Sequence, residues 1–549
     1  MSLDPYSAIS SAVVAERVGT PVSARIFDHT ADGPDGIESS LARGLVAAEA
    51  WLKSPIIRLA ALGSASSGQI SVLAACAGGQ TSLVSAGLRG NSAGLWEAIV
   101  LGTRGMLSWE PDFSSSSSSS IEVASLLLAA VHRSLDLGQP VNFDGEPPEE
   151  PAPKRRAHAS VDMAPAPAPA KILPQEPPYG ILLVSGNQTH QENYARSFAV
   201  DPRARIMGLA DEREVSPRRK ELNERLAREL GIPFFADLAE GLARPDVHII
   251  CICAEPERRG RIIVRAAEAK KHLYLDKPLA ATAQEAEAIV AAVARAGVVS
   301  QMFTMAHLSP AERLHRLVKS RAVGDPSALH FDLFFAKGHP ASLSPRSRME
   351  TAEPRRFEAI EAKREFYNIG VYPLATLFRL GYRVRRVWTV TGNYFFAEHL
   401  REDMEDFGAA LLELEGGAVA SLLVGRTGWR SHPLGGMNRT CLAGADGAIS
   451  IDACRPRLEV WSDDEPWTAP RRHPEDPMGF WSSTVAESGA RPKQGWILPS
   501  EISRSDVALF LDCVEQGRAA SIPAQAAAAI LNVQLAAYAS AATNRFVAP

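Results

Sequence analysis

The sequence predicts three folded parts: an N-terminal α+β unit (1–143), a parallel, doubly wound α/β domain (179–305), and a C-terminal α+β domain (306–549) on an open, mainly antiparallel sheet. Three observations lead there. Between 179 and 305, short apolar runs rich in β-branched residues alternate with helix-length segments, the pattern of parallel strands joined by crossover helices. Beyond 306 the apolar alternation lengthens and is punctuated by hairpin signals such as Glu415-Gly416-Gly417. Residues 144–178, rich in Pro, Ala and Glu with an Ala-Pro repeat, read as a semi-rigid disordered linker that lacks the apolar residues for a core.

In the N-terminal unit, 21–27 and 70–75 read as strands and 41–52 and 121–137 as helices, with the serine run 114–120 a flexible loop. This unit echoes the C-terminal domain in four places, in the same order. Val18-Gly19-Thr20-Pro21 matches Val323-Gly324-Asp325-Pro326, and Gly78-Gly79 matches Gly416-Gly417. Residues 101–108 match 443–450, and Glu122-Val123-Ala124 matches Asp506-Val507-Ala508. The unit is therefore expected to be a degenerate copy of the C-terminal sheet domain.

The middle domain starts with a strand at 181–184, the turn Ser185-Gly186-Asn187, a helix to Val200 and a second strand at 204–210 ending at Asp211. Strand, glycine turn, helix, strand, acid is the mononucleotide-binding order. A charged helix (218–230), a buried strand (247–253) and a helix (261–269) lead to a strand ending in Asp276-Lys277-Pro278, before a helix (283–296) and a last strand (298–303). A lysine is thus presented beyond the carboxyl end of a parallel strand, where ligands bind in such sheets. Strands at 329–335, 384–391, 407–414, 418–424, 440–443 and 458–461 follow, and helices at 503–515 and 524–542 close the chain.

Composition narrows the partners. With 58 basic and 63 acidic residues the formal charge is -5, which gives no footprint for nucleic acid. No leader pattern opens the chain and no run of about 18 apolar residues stands out, so a cytoplasmic protein without a membrane partner is expected. The cysteines at 76, 251, 253, 441, 454 and 513 have no zinc-ligand spacing, and no metal is expected.

On the Asp276-Lys277-Pro278 turn, the domain order and Asn368-Ile369-Gly370-Val371-Tyr372, residues 179–549 resemble the glucose-fructose oxidoreductase/inositol dehydrogenase (Gfo/Idh/MocA) family. The resemblance implies a Rossmann domain and NAD(P)-dependent hydride transfer between a nicotinamide and a hydroxyl or carbonyl carbon of a sugar- or polyol-like small molecule. It implies Lys277 over the nicotinamide and Tyr372 as the proton-transfer residue, with Asn368 where the family has aspartate. The family's glycine loop falls on Gly186-Asn187-Gln188-Thr189-His190-Gln191, which keeps only the first glycine, so Asn187, Gln188, Thr189 and Gln191 are expected to contact phosphate in place of bare backbone. Asp211 would bind the ribose hydroxyls, favouring NAD, with NADP the alternative because Arg213 is near; Glu255 and Asp276 would line the cofactor. The N-terminal copy has Val46 where Tyr372 is expected and lacks the acid. A non-catalytic binding or regulatory protein on the same fold is the competing expectation, motivated by the altered loop and Asn368. For assembly, the expectation is a homo-oligomer or an intramolecular pseudo-dimer of the two sheet domains.

Overall fold

A computed structural model of the chain describes residues 5–89, 95–109, 125–143, 170–186, 189–307, 309–336, 364–396, 399, 404–427, 436–452, 458–460, 494–496 and 505–549. The N-terminal unit runs α1 (Pro5–Val14), β1 (Pro21–Ala31), α2 (Pro34–Leu52), β2 (Ile56–Ser64), β3 (Gln69–Cys76), β4 (Thr81–Leu88), β5 (Leu95–Gly102), β6 (Gly105–Trp109), α3 (Ser125–Leu137) and β7 (Val141–Asn142). Its sheet has the order β6-β5-β1-β4-β3-β2-β7, and only the central β1/β4 pair is parallel. Helix α2 starts on Pro34 and buries Ile37, Leu41, Leu45, Ala48 and Leu52, a stripe at helical spacing that covers one sheet face.

The middle domain comprises β8 (Tyr179–Val184), α4 (Gln191–Ala199), β9 (Ala204–Ala210), α5 (Pro217–Leu230), β10 (Phe234–Phe235), α6 (Leu238–Leu242), β11 (Ile249–Ile252), α7 (Pro256–Glu268), β12 (His272–Leu275), α8 (Ala283–Ala296) and β13 (Ser300–Met302). Every neighbour in the sheet β10-β9-β8-β11-β12-β13 is parallel, and the strand order reverses beside β8, which opens a crevice at the carboxyl ends of β8 and β11. Helix ends follow local chemistry: Ser216 caps α5, Thr282 and Glu285 form a capping box on α8, and Gly231 and Gly297 end these helices in left-handed conformation. The ordered chain begins before 179. Ala170 N donates to Ala294 O (2.9 Å) and Gln175 N to Val514 O (3.3 Å), so residues 170–178 lie against this domain and the C-terminal segment around Val514 rather than in a disordered linker. The remainder of the expected linker and the serine run 114–120 lie outside the described residues.

The C-terminal domain follows with α9 (Ser309–Lys319), β14 (Pro326–Ala336), α10 (Glu365–Arg379), β15 (Val384–Gly392), β16 (Phe407–Leu414), β17 (Val419–Thr427), β18 (Gly436–Gly444), β19 (Gly447–Asp452), the short pair β20 (Leu458–Val460) and β21 (Gln494–Trp496), α11 (Asp506–Gln516) and α12 (Ala524–Thr543). Its sheet has the order β15-β16-β17-β14-β18-β19, with β14/β17 the parallel pair. Helix α12 is long and apolar enough to cross a membrane, but it buries Ile530, Leu531, Val533 and Gln534 inside the domain and reads as a core helix.

Strand for strand, the first and third sheets follow one plan. Each has a single parallel pair between its first and fourth strands, and α2 and α10 occupy the same crossover from first to second strand. The register breaks between Pro21 and Ser23 and again between Pro326 and Ala328; it breaks between Ile56 and Arg58 and again between Val384 and Arg386. Lys53 (φ 52) ends α2 and Gly381 (φ 94) follows α10, each three residues before its second-strand break. That register sets Gly44, not Val46, at the position of Tyr372. Matching Gly44 to Gly370 would set Val46 there, but the helix C-termini fix the alignment. The sheets pack face to face, with Leu62, Leu83 and Ile99 against Phe334, Trp388 and Leu411 in one buried cluster.

Candidate functional site

Strand β12 delivers Asp276-Lys277-Pro278 to the carboxyl edge of the parallel sheet, and Arg259 of α7 clamps the turn. Its Nε donates to Ala254 O (2.9 Å) and its Nη1 to Asp276 O (3.3 Å) and to Pro278 O. Nη2 pairs with Asp276 Oδ2 (3.2 Å), while Oδ1 accepts from His190 Nδ1 (2.6 Å) and Tyr194 OH (2.8 Å) at the start of α4. Burial raises the pKa of the Asp276 carboxyl, but His190, Arg259 and Lys277 outweigh it and hold the group well below the usual carboxylate range. Asp276, expected to line the cofactor, therefore turns its carboxylate inward and positions the turn.

Lys277 is 9% exposed. Its Nζ donates to Asn368 O (3.2 Å) and Oδ1 (3.4 Å), and it lies 5.5 Å from the ring centre of Tyr372. Asn368 and Tyr372 are one turn apart on α10, so a single helix face receives the ammonium. A hydrogen bond to a charged group is worth about 1.5–3 kcal/mol and a desolvated cation–π contact about 2, so Asn368 and the Tyr372 ring together set where Nζ sits. Tyr367 OH donates to Ala280 O, tying α10 to the chain just after the turn. Tyr372 is buried, packs edge-on to Phe335 (6.4 Å between ring centres) and helps wall a cavity of about 40 Å³ with Phe331, Leu333, Thr376, Asn438 and Thr440.

The opposite end of the crevice is closed by side chains. Asp211 is fully buried at the end of β9; it accepts from Ser185 Oγ (2.8 Å), Asn223 Nδ2 (2.7 Å), Arg258 Nη1 (2.7 Å) and its neighbour Glu212 N (2.9 Å). Glu255 pairs with Arg219 (2.9 Å) and Arg258 (2.6 Å). Gly186 N donates to Asn223 Oδ1 (2.7 Å), and a Cβ on Gly186 would stand 2.8 Å from Asn223 Cα. The glycine is required by the approach of α5. Thr189 Oγ1 bonds Gly186 O (2.7 Å) and accepts from Gln191 N (3.0 Å). Gln191 itself is buried between helix and sheet, its amide nitrogen directed at Val184 O (3.1 Å) and Cys251 O (3.3 Å). Gln191, Asp211 and Glu255 are thus engaged inside the protein instead of facing a ligand; Asn187 and Gln188 lie outside the described residues. Among the described residues no group of His, Cys, Asp or Glu is arranged to hold a metal ion.

Residues 181–304 match the family model described as the oxidoreductase family, NAD-binding Rossmann fold, and residues 311–450 match the GFO/IDH/MocA C-terminal domain. These residues are Gfo/Idh/MocA domains. A scyllo-inositol 2-dehydrogenase (NAD(+)) of Bacillus subtilis (strain 168) is 26% identical over 243 residues, 42% of this chain and 63% of that relative's length. The fold matches GenD2 from gentamicin A biosynthesis, solved with NAD, at TM-score 0.52 and 18% identity, over 70% of this chain and 99% of that one. It also matches scyllo-inositol dehydrogenase of Lactobacillus casei, with bound NAD(H) and scyllo-inositol, at TM-score 0.51 and 17% identity, over 67% and 98% of the two chains.

In an open parallel sheet a dinucleotide binds in the crevice at the strand switch point, which the structure builds between β8 and β11. Lys277, carried at the end of β12, meets Asn368 and Tyr372 on one side of that crevice, and Gly186, Thr189 and the start of α4 follow β8 on the other. The ribose end differs, because a ribose donating hydrogen bonds to Asp211 has to displace Arg258. The clamp of Arg259, His190 and Tyr194 escaped sequence reasoning. Arg259 stood in a charged run that resembled a solvated loop, and Tyr194 carried no signal.

Proposed function

We propose that the protein is an NAD-dependent oxidoreductase that interconverts a hydroxyl-bearing carbon and a carbonyl on a polyol- or sugar-like small molecule. The observation that carries this is the placement of Lys277 Nζ between Asn368 and the ring of Tyr372. Bound NAD supplies the hydride acceptor or donor. Lys277 stabilises negative charge at the reacting oxygen, Asn368 fixes the direction of Nζ, and Tyr372 exchanges the proton. Burial of Lys277 and Tyr372 keeps bulk water from the reacting groups. The inositol specificity of the curated relative supports a cyclitol or related polyol as the first substrate class to examine. Turnover of NAD with a panel of cyclitols and sugars tests this reading; cofactor binding without turnover on any of them counts against it.

A second reading, a binding or regulatory protein without turnover, is favoured by one observation: Arg258, Asn223 and Ser185 hold Asp211. Titration with NADH separates the two. Heat or fluorescence change at sub-millimolar cofactor supports the enzyme, and none at millimolar cofactor supports the second reading.

A further inference from the structure

We infer that the N-terminal unit is a degenerate second copy of the C-terminal sheet domain, held on the outer face of that sheet as one half of a two-fold pair whose axis residues, Glu97 and Arg439, favour this pairing over a like one. The local structure repeats down to single hydrogen bonds. Ser134 Oγ donates to Gln139 O (2.8 Å) and accepts from Ala61 N (3.0 Å); Ser540 Oγ donates to Arg545 O (2.7 Å) and accepts from Thr389 N (3.0 Å). With the register breaks aligned, Arg25 stands where His330 does, Phe27 where Asp332 does, and Glu97 where Arg439 does.

These equivalent positions meet each other across the interface. Arg25 pairs with Asp332 (2.7 Å), and in return Phe27 meets His330 edge-on with ring centres 5.0 Å apart. Position i of one copy touches position j of the other, and j touches i, which defines an isologous contact about a two-fold axis. Glu97 contacts its own equivalent, Arg439, and so lies on that axis. Both side chains are 1% exposed.

The residue pair on the axis also sets which copies can associate. Two C-terminal sheets paired in this way would bury Arg439 against Arg439, and two N-terminal sheets Glu97 against Glu97. Like charges held in contact there repel each other. The mixed pairing sets opposite charges against each other on the axis and brings Arg25 to 3.2 Å from Glu97 and 2.7 Å from Asp332, so the chain closes this face with its own N-terminal unit. That unit carries the same sheet, and Gly44 stands in place of Tyr372.

The test uses the full chain with one protease site placed within residues 144–169, cut after purification and examined by native mass spectrometry. The expected result is a one-to-one complex of the N-terminal and C-terminal fragments. Glu97→Arg in the same chain should weaken that complex at least tenfold, and Glu97→Gln, which keeps the size of the side chain, should give an intermediate loss. Recovery of the C-terminal fragment as a homodimer, or fragments that separate without any substitution, would overturn the inference. So would Glu97→Gln and Glu97→Arg chains that fold and keep an unweakened complex.

Discussion

The Lys277 ammonium lies 5.5 Å from the centre of the Tyr372 ring while it hydrogen-bonds Asn368, one helical turn earlier on the same face of α10. The parallel domain supplies the cation and the C-terminal domain supplies the phenol. This arrangement exists only when the two domains are docked; Tyr367 ties α10 to Ala280 across that contact, and Arg259 holds the turn before Lys277 within the parallel domain.

Tyr372→Phe removes the hydroxyl and leaves a ring of nearly the same size beside Phe335. Loss of a positioned acid–base group predicts a fall in kcat of about 10²–10⁴-fold, with KM changed by a small factor. Steady-state kinetics beside an unchanged thermal midpoint would separate this from misfolding.

Arg258→Ala frees Asp211 from its strongest partner and leaves Ser185 and Asn223 on the carboxylate. Calorimetric titration should show NADH binding several-fold more tightly, because ribose no longer competes with a guanidinium. Global stability should fall by about 3 kcal/mol for the broken buried pair. Weaker NADH binding would mean that Arg258 contacts the cofactor directly.

Acid should destabilise the chain in two windows. Burial pushes the His29 pKa down to about 3. The unfolded chain takes up this proton first as pH drops below about 6.5, so stability is complete above that value and declines toward pH 3, at up to about 1.4 kcal/mol per pH unit. His330, buried on the facing sheet, is lowered in the same direction. Asp276 acts later: its folded pKa is depressed, so its contribution is complete above about pH 4 and is lost as pH falls toward the folded value. Urea midpoints of wild type and His29→Gln between about pH 7 and 5 should diverge, with the variant less sensitive to acid.

Gly44→Ala places a Cβ 2.6 Å from Val84 Cγ1. Overpacking costs about 1–3 kcal/mol, while the helix gains about 0.5–1 kcal/mol from losing a glycine, so a net loss of about 1 kcal/mol is expected. NADH affinity should not change, because this position is the inactive equivalent of Tyr372.

Much of the fold was legible in the sequence. The strand at 204–210 emerges with the same bounds, and the paired glycine hairpins mark matching turns of two sheets. Strands β2, β4, β5 and β6 were not legible. Segments such as Thr81–Leu88 are built from small residues of weak strand propensity and are buried on both faces, by a helix and by the facing sheet. Lys277, Asn368 and Tyr372 were readable because the turn and the helix each carry a short motif. The state of Asp211 was not, since it depends on Asn223 and Arg258, which lie 12 and 47 residues away and meet it only in the fold.

The deciding measurement is NADH formation from NAD and a cyclitol or sugar, for wild type and for Lys277→Ala at the same saturating cofactor. The prediction is measurable turnover by wild type and a loss of at least about 100-fold in the variant, as expected when a charge that stabilises the reacting oxygen is removed. Equal turnover by the two proteins, with cofactor bound to both, would contradict it.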